Sequence, residues 1–265
     1  MKRITKIFET TRAEGRAALM PYYPMGFPTP EESLEIIHAI ANAGADLIEL
    51  GIPFSDPLAD GPTIQHATQT ALENGMTLRK GLEITAQLRA RGVQQPLILM
   101  GYLNPILAYG LENFVRAAHA AGADGFIVPD LPPEEAGEFS QLCAAHHLAL
   151  IHLLAPNANE TRIRQVAAQT SGFVYLVSVT GITGARRDLP PDLGAFIERV
   201  RRAAHTPIAV GFGIATPEQA QTVGALADGV IVGSALIKTV QNAQPEQRAQ
   251  TAAQFVSALA LSLQQ

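Results

Sequence analysis

The chain contains only one cysteine, Cys143, among its 265 residues. It therefore cannot form an intrachain disulfide or gather several thiolates around a metal ion. Charged residues are also scarce, at 16%, whereas hydrophobic residues make up 47%. This balance argues against a disordered chain and predicts a sizeable buried core.

Two further absences exclude classes of partner. No uninterrupted apolar run is long enough to cross a bilayer, and the start MKRITKIFETTRAEGR resembles an amphipathic helix rather than a secretion signal. The formal net charge is −5, and basic residues gather only in pairs such as the arginines at 186–187 and 201–202. We therefore expect no membrane partner, no nucleic acid partner and a cytoplasmic location.

One short pattern occurs three times, as AGADLIEL (43–50), AGADGFIV (121–128) and ALADGVIV (225–232). In each copy, small residues end a helix, an aspartate turns the chain, and aliphatic residues begin a buried strand. Helix starts are equally recognisable, because Thr29 precedes Pro30 and Thr216 precedes Pro217. A threonine N-cap followed by a proline is typical of the first turn of a helix.

Five other apolar runs bring the predicted strands to eight: 17–23, 96–102, 148–154, 172–179 and 207–212. Helical patterns separate them, and this alternation predicts a parallel sheet. An open doubly wound sheet is the alternative, but PYYPMGFPTP after the first strand lacks the glycine-rich dinucleotide pattern. We therefore predict an α/β fold, a (β/α)₈ TIM barrel with an extra N-terminal helix, formed by residues 1–265 as a single domain.

In such a barrel the functional groups lie where strands end. Glu49 stands among apolar residues at the end of the second predicted strand, so its side chain is expected to point into the barrel mouth. A partly desolvated carboxyl group has a raised pKa and suits proton transfer near neutral pH. Asp60 and Asp56 follow in the next loop, and spacing alone does not decide which of them joins Glu49.

Glycines follow the last two predicted strands, in GFGI (211–214) and GSAL (233–236). Backbone N–H groups at helix starts bind phosphate, and this end of a TIM barrel is a common phosphate site. Gly184 in the loop 178–190 offers a further N–H group. The same glycines also fit ordinary tight turns, and that loop fits either a lid or a plain surface loop.

Other residue types argue against two kinds of aldolase. The four lysines, at positions 2, 6, 80 and 238, avoid the predicted strand ends, where a Schiff-base lysine would stand. Six of the seven histidines fall in helical patterns and only His152 lies on a predicted strand, so no metal site is expected. Carboxylate acid/base chemistry on a phosphorylated substrate remains. Tyr175, inside the sixth strand, fits either the site or the core.

The segment LIELGIPFSDPLADGPTIQ (47–65) resembles the most distinctive segment of the tryptophan synthase alpha subunit family. The resemblance spans essentially the whole chain, through PYYPMGFP, LMGYLNP, VPDLPPEE, YLVSVTGITGAR, VGFGIATPEQA and GVIVGSALIK. It implies a lyase that cleaves 1-C-(indol-3-yl)glycerol 3-phosphate to indole and glyceraldehyde 3-phosphate, in a (β/α)₈ barrel without a metal or a Schiff base.

The resemblance also implies roles for individual residues. Glu49 would act as general acid and base, and Asp60 would assist at the indole nitrogen. Tyr22 stands where Phe is common in the family, and Pro129 stands beside the pocket where Ala is common. The implied substrate contacts are Tyr175, Tyr22, Met100, Ile127, Leu153, Thr183 and Phe212, and the implied phosphate contacts are Gly184, Gly213, Gly233 and Ser234.

A partner follows from the same resemblance, namely a beta subunit in an α₂β₂ heterotetramer that holds pyridoxal phosphate, so that no cofactor is expected in this chain. Proline-rich loops would contact it, because pre-ordered backbone loses little entropy on docking. The implied contacts are Pro53, Asp56, Pro57, Asn104 and Pro132. Two alternatives stay open: a free-standing lyase that releases indole, and a non-catalytic barrel that binds a phosphorylated ligand and regulates a partner.

Overall fold

The structure, a computed structural model, describes residues 1–177, 190–211 and 213–264. The strands within these ranges are β1 (Ala18–Pro24), β2 (Ile48–Gly51), β3 (Leu97–Met100), β4 (Gly125–Ile127), β5 (Ala149–Ile151), β6 (Leu153–Leu154), β7 (Val174–Val177), β8 (Ile208–Gly211) and β9 (Gly229–Val232). The α-helices are α1 (Lys2–Ala13), α2 (Pro30–Ala41), α3 (Pro62–Glu73), α4 (Leu78–Ala90), α5 (Leu103–Tyr109), α6 (Leu111–Ala121), α7 (Gly137–Ala145), α8 (Glu160–Gln169), α9 (Leu193–Arg201), α10 (Pro217–Gly224), α11 (Ser234–Gln241) and α12 (Arg248–Ser262).

The strands form one parallel sheet in the order β5-β4-β3-β2-β1-β9-β8-β7-β6. The two ends of this order are the two halves of a single predicted strand, 148–154, which is divided at His152. Its first half pairs with β4 and its second half pairs with β7, so one segment of chain closes the sheet on itself. The predicted (β/α)₈ barrel is confirmed, and the ninth strand arises from this division.

The helices begin where the sequence predicts a cap. The Thr29 hydroxyl accepts the N–H of Glu32 at 3.2 Å at the start of α2, and the Thr216 hydroxyl accepts the N–H of Gln219 at 3.3 Å at the start of α10. These bonds satisfy N–H groups that have no partner within the helix itself. No helix of the described ranges has the length and hydropathy of a segment that crosses a bilayer.

The extra N-terminal helix, α1, covers the amino end of the barrel. Its Ile4 and Phe8 are buried, and the Phe8 ring lies 5.8 Å from the ring of Phe173, which stands just before β7. Phe8 also reaches the first residue of β9, Gly229. The amino end of the barrel is therefore sealed by apolar contacts, and only the carboxyl end, called the mouth below, is left for a site.

The aspartate of each repeated segment bonds a backbone N–H near the start of a neighbouring strand. Asp46 accepts the N–H of Leu19 at 2.8 Å, Asp124 accepts that of Leu97 at 3.1 Å, and Asp228 accepts that of Ile208 at 2.9 Å. Each carboxylate also pairs with an arginine, namely Arg16, Arg89 and Arg201. The repeat therefore fixes how neighbouring strands are aligned at the amino end of the barrel.

Replacing Asp124 by Ala should lower the free energy of unfolding by about 3 to 5 kcal/mol. The side chain is 5% exposed and binds Arg89 at 2.6 Å, so its removal leaves a half-buried guanidinium without its carboxylate. Urea unfolding checks this, with Glu138→Ala on the exposed face of α7 as the control. Equal losses in the two variants would contradict an aligning role for Asp124.

Candidate active site

The mouth of the barrel surrounds a narrow cavity of about 30 Å³. Both predicted catalytic carboxylates line it, together with three predicted substrate contacts and two predicted phosphate contacts. The full lining is Tyr22, Glu49, Asp60, Ile64, Met100, Tyr175, Ile231, Gly233 and Ser234. A concave and mostly apolar site with a few converging polar groups is typical of ligand binding.

Glu49 is the most deeply buried charged group of this cavity. It lies in β2, paired with Tyr22 of β1 on one side and with Ile98 of β3 on the other. Its exposed fraction is 0%, and among the described residues neither carboxylate oxygen has a hydrogen-bond partner. Burial therefore raises the pKa of Glu49 well above its usual range, which suits a group that gives up a proton in a reaction.

Asp60 reaches the same cavity from the loop between β2 and α3. The Tyr102 hydroxyl donates to its carboxylate at 3.0 Å and accepts the backbone N–H of Ala59 at 3.1 Å, so one hydroxyl holds both the side chain and its loop. Burial raises the pKa of Asp60 to about 6, although the bond from Tyr102 acts in the opposite direction. Asp60 is therefore more readily ionised than Glu49.

The structure separates the two aspartates that spacing alone does not rank. Asp56 is exposed, whereas Asp60 is 5% exposed and lines the cavity. A carboxylate turned to solvent has no access to a ligand in the barrel mouth. Asp60 is therefore the one that accompanies Glu49.

Two tyrosines approach the carboxylates from opposite sides. Tyr22 of β1 and Tyr175 of β7 are 6% and 4% exposed, and both line the cavity. Each hydroxyl lies over a glycine of the next strand, Gly51 and Gly211, where an added Cβ would stand 2.3 Å from the oxygen. The glycines are therefore needed to make room for these rings, and Tyr175 belongs to the site rather than only to the core.

The four predicted phosphate contacts differ in position. Gly233 and Ser234 line the cavity where α11 begins, and the backbone N–H groups of a helix start favour an anion. Gly213 has φ of +89°, a left-handed conformation that favours glycine. The fourth phosphate contact, Gly184, lies outside the described residues, as do the predicted substrate contacts Thr183 and Phe212.

Three apolar contacts were predicted within the barrel, and they differ in position. Met100 ends β3 and lines the cavity. Ile127 pairs with it from β4 and is fully buried, and Leu153 in β6 is half-buried. Neither of the latter two belongs to the cavity lining.

The five predicted partner contacts lie on the loop after β2, at the start of α5 and on the loop after β4, and hydrogen bonds join these three segments. Tyr102 binds the loop after β2 through Ala59, and the Asp130 carboxylate accepts the N–H of Leu103 at 2.9 Å, which ties the loop after β4 to α5. Asp56 and Asn104 are exposed, whereas Pro57 and Pro132 are half-buried and Pro53 is buried. Pro53 therefore shapes the loop from inside and offers little surface to a partner.

Several residues of this region have no role in the sequence prediction. Tyr102 appears there only as a strand-end residue, because a bond across 42 residues to Asp60 leaves no local pattern. Ile64 and Ile231 complete the apolar lining. Leu58 in the loop after β2 and Leu107 in α5 are 86% and 54% exposed. The position of Leu58 between Pro57 and Pro62 would have been a usable signal.

Comparison with known proteins agrees with this geometry. The family model described as Tryptophan synthase alpha chain matches residues 8–263. The chain belongs to the tryptophan synthase alpha chain family. Its tryptophan synthase alpha chain relatives include one from Chloroflexus aggregans, 53% identical over 98% of this chain and 97% of the relative. Another from Geobacter sulfurreducens is 47% identical over 98% of both chains.

Solved structures give the same result. A Mycobacterium tuberculosis tryptophan synthase chain superposes with a TM-score of 0.92 at 35% identity, covering 99% of this chain and 98% of that chain. A tryptophan synthase alpha subunit from Legionella pneumophila superposes with a TM-score of 0.91 at 39% identity, covering 98% of each chain. As a member of the tryptophan synthase alpha chain family, this protein is a lyase-type enzyme, and the family implies a beta-subunit partner.

Replacing Glu49 by Leu should stabilise the fold, and the gain should grow with pH. Because burial raises the folded-state pKa of Glu49, its cost is absent below the unfolded pKa and increases as pH rises towards the folded pKa. We expect a gain of about 1 to 3 kcal/mol at about pH 8 and a smaller gain at about pH 5.

Urea unfolding at both pH values measures this, with Glu112→Leu on the exposed surface of α6 as the control. A gain in Glu49→Leu that does not change with pH would mean that the buried carboxyl group is not the cause.

Proposed function

We propose that this chain cleaves 1-C-(indol-3-yl)glycerol 3-phosphate to indole and glyceraldehyde 3-phosphate, as the alpha subunit of a tryptophan synthase. The observation that supports this most is the pair of carboxyl groups in one cavity. Glu49 has no polar partner among the described residues, whereas Asp60 receives a hydrogen bond from Tyr102. Such different surroundings allow one group to be protonated while the other is ionised.

The reaction needs both states. An aromatic carbon is a poor leaving group, so Glu49 first donates its proton to C3 of the indole, and the positive charge that develops at the ring nitrogen is stabilised by the Asp60 carboxylate. Glu49, now ionised, then takes the proton of the neighbouring side-chain hydroxyl as the carbon–carbon bond breaks. The bonding electrons return to the ring, the hydroxyl carbon becomes the aldehyde, and Glu49 ends protonated again.

The other lining residues suit the chemistry of the two ends of this substrate. Ile64, Met100 and Ile231 offer apolar walls for the indole ring. At the other side, the backbone N–H groups at Gly233 and Ser234 suit the phosphate dianion. The protein therefore holds the reacting carbon near Glu49 by binding the substrate at both ends, which is how positioning accelerates a reaction.

The partner surface is proposed on the loop after β2, on α5 and on the loop after β4. Leu58 and Leu107 would be unfavourable in water on a free chain, and their exposure supports a protein partner that covers them. We propose that this partner is a tryptophan synthase beta subunit in an α₂β₂ assembly. That subunit would hold the pyridoxal phosphate of the second reaction, so that no step in this barrel runs through the cofactor.

Indole release from the substrate, measured with and without added beta subunit, tests the proposed activity. Glu49→Gln should lower kcat about a hundredfold or more, because the general acid and base is lost. Binding of a non-cleavable analogue, indole joined through a propyl chain to phosphate, should be little changed. Glu112→Gln, an exposed change on α6, is the control.

Each outcome separates the alternatives. Turnover by the chain alone that the beta subunit does not alter would support a free-standing lyase. Analogue binding without turnover under either condition would support a non-catalytic barrel. Full kcat in Glu49→Gln would mean that another group carries the proton.

Replacing Leu58 by Asp should weaken binding of the beta subunit about tenfold or more, because a charge would enter an apolar contact. Isothermal titration calorimetry measures the Kd. Leu261→Asp is a matched control, since Leu261 is 60% exposed on α12. The same Kd in both variants would move the interface away from this loop.

A further inference from the structure

The hydroxyl group of Tyr22 has a defined position but no assigned task. Tyr22 pairs with Glu49 across β1 and β2, and its hydroxyl lies over Gly51, where an added Cβ would be 2.3 Å away. Gly51 is two residues beyond Glu49, or roughly 6.6 Å further along the strand. The ring therefore extends past Glu49 towards the outer part of the mouth, where the loop carrying Asp60 lies.

This hydroxyl is available for a new hydrogen bond. Tyr22 is 6% exposed and lines the cavity, and among the described residues its hydroxyl has no hydrogen-bond partner. A hydroxyl on the wall of a cavity can donate to a ligand or to a neighbouring group, whereas Phe would fill the same space without a donor. The hydroxyl therefore suggests a contact that forms when the cavity is loaded.

Electrostatics point to Asp60 as the acceptor. Burial is the main cause that raises the pKa of Tyr22, followed by the negative charge of Asp60, then Tyr102 and then Glu49. The phenol stays protonated, so it acts as a donor. Asp60 has room for it, since an ionised carboxylate accepts several hydrogen bonds and Tyr102 is its one side-chain donor among the described residues.

We propose that Tyr22 is a positioning residue whose hydroxyl donates a second hydrogen bond to the Asp60 carboxylate when substrate is bound. Tyr22 would donate from β1, whereas Tyr102 donates from just after β3. Two donors would hold the carboxylate in the orientation that faces the ring nitrogen and would favour its ionised form. This inference rests on the proposed function, because it assigns Asp60 a charge that the cleavage uses.

The test is Tyr22→Phe, which removes the hydroxyl and keeps the ring. The acid side of the pH profile of kcat, which reports groups in the enzyme–substrate complex, should move to higher pH, because Asp60 loses a donor that stabilises its charge there. Below the acid-side pKa of the wild-type profile, kcat should fall about tenfold, the effect of one pKa unit. Well above that pH, the variant should approach the wild-type value.

Tyr23→Phe is the matched control. Tyr23 is the next residue of β1, is fully buried, and faces Arg248 and Glu32 rather than the cavity. Tyr23→Phe removes the same hydroxyl oxygen as Tyr22→Phe, but on the other face of the strand. The pH profile of this control should therefore superpose on that of the wild type.

A second measurement does not depend on turnover. The carboxyl carbon of Asp60, labelled with ¹³C and assigned with Asp60→Asn, is titrated by NMR with the propyl phosphate analogue bound. The pKa of Asp60 should be higher in Tyr22→Phe than in the wild type. Equal Asp60 pKa values, or superposed acid sides of the profiles, would overturn the role of Tyr22. Absence of both cleavage and analogue binding in the wild type would instead overturn the proposed function.

Discussion

The alignment of β1 with β2 is the constraint on which the site depends. At the amino end, Asp46 accepts the N–H of Leu19 and pairs with Arg16, and this fixes how the two strands lie beside each other. Further along the same pair, Tyr22 stands opposite Glu49, with both side chains inside the barrel. A shift of one residue would turn Glu49 outwards, because successive side chains of a strand point to opposite faces. A structural contact at the sealed end thus determines the chemistry at the open end.

The site contains groups that a stable fold alone would not select. Glu49 is fully buried, and both of its carboxylate oxygens lack a partner among the described residues. The surrounding barrel tolerates this cost because its walls are buried and aliphatic along nearly their whole length. Asp60 is treated differently, since Tyr102 binds both its carboxylate and the backbone beside it. One carboxyl group is left unpaired and the other is held, and this contrast separates their pKa values.

The sequence predicts the fold well because each helix and strand of the barrel has a local sequence pattern. The repeated aspartate segments, the threonine caps and the apolar runs each determine a short element, and their alternation determines the architecture. Glu49 was also predictable, since a strand end is a local position. The choice of Asp60 over Asp56 came only from the family resemblance and not from spacing, because it depends on a hydrogen bond from Tyr102, 42 residues away. The division of the fifth strand at His152 depends likewise on two neighbours, β4 and β7, that only the closed barrel brings together.

The loop after β2 serves the cavity and the outer surface with very few residues. Leu58 is 86% exposed, and two residues later Asp60 is 5% exposed and lines the cavity. Between them, Ala59 donates its N–H to the Tyr102 hydroxyl, which also binds Asp60, and the Tyr102 ring packs 5.4 Å from that of Phe54. A protein that covers Leu58 would therefore act on a backbone that is bonded directly to the group holding Asp60. Because only Ala59 separates Leu58 from Asp60, a displacement of Leu58 would also move Asp60. The surface proposed for the partner and the carboxylate proposed for catalysis are therefore coupled through the backbone of this loop.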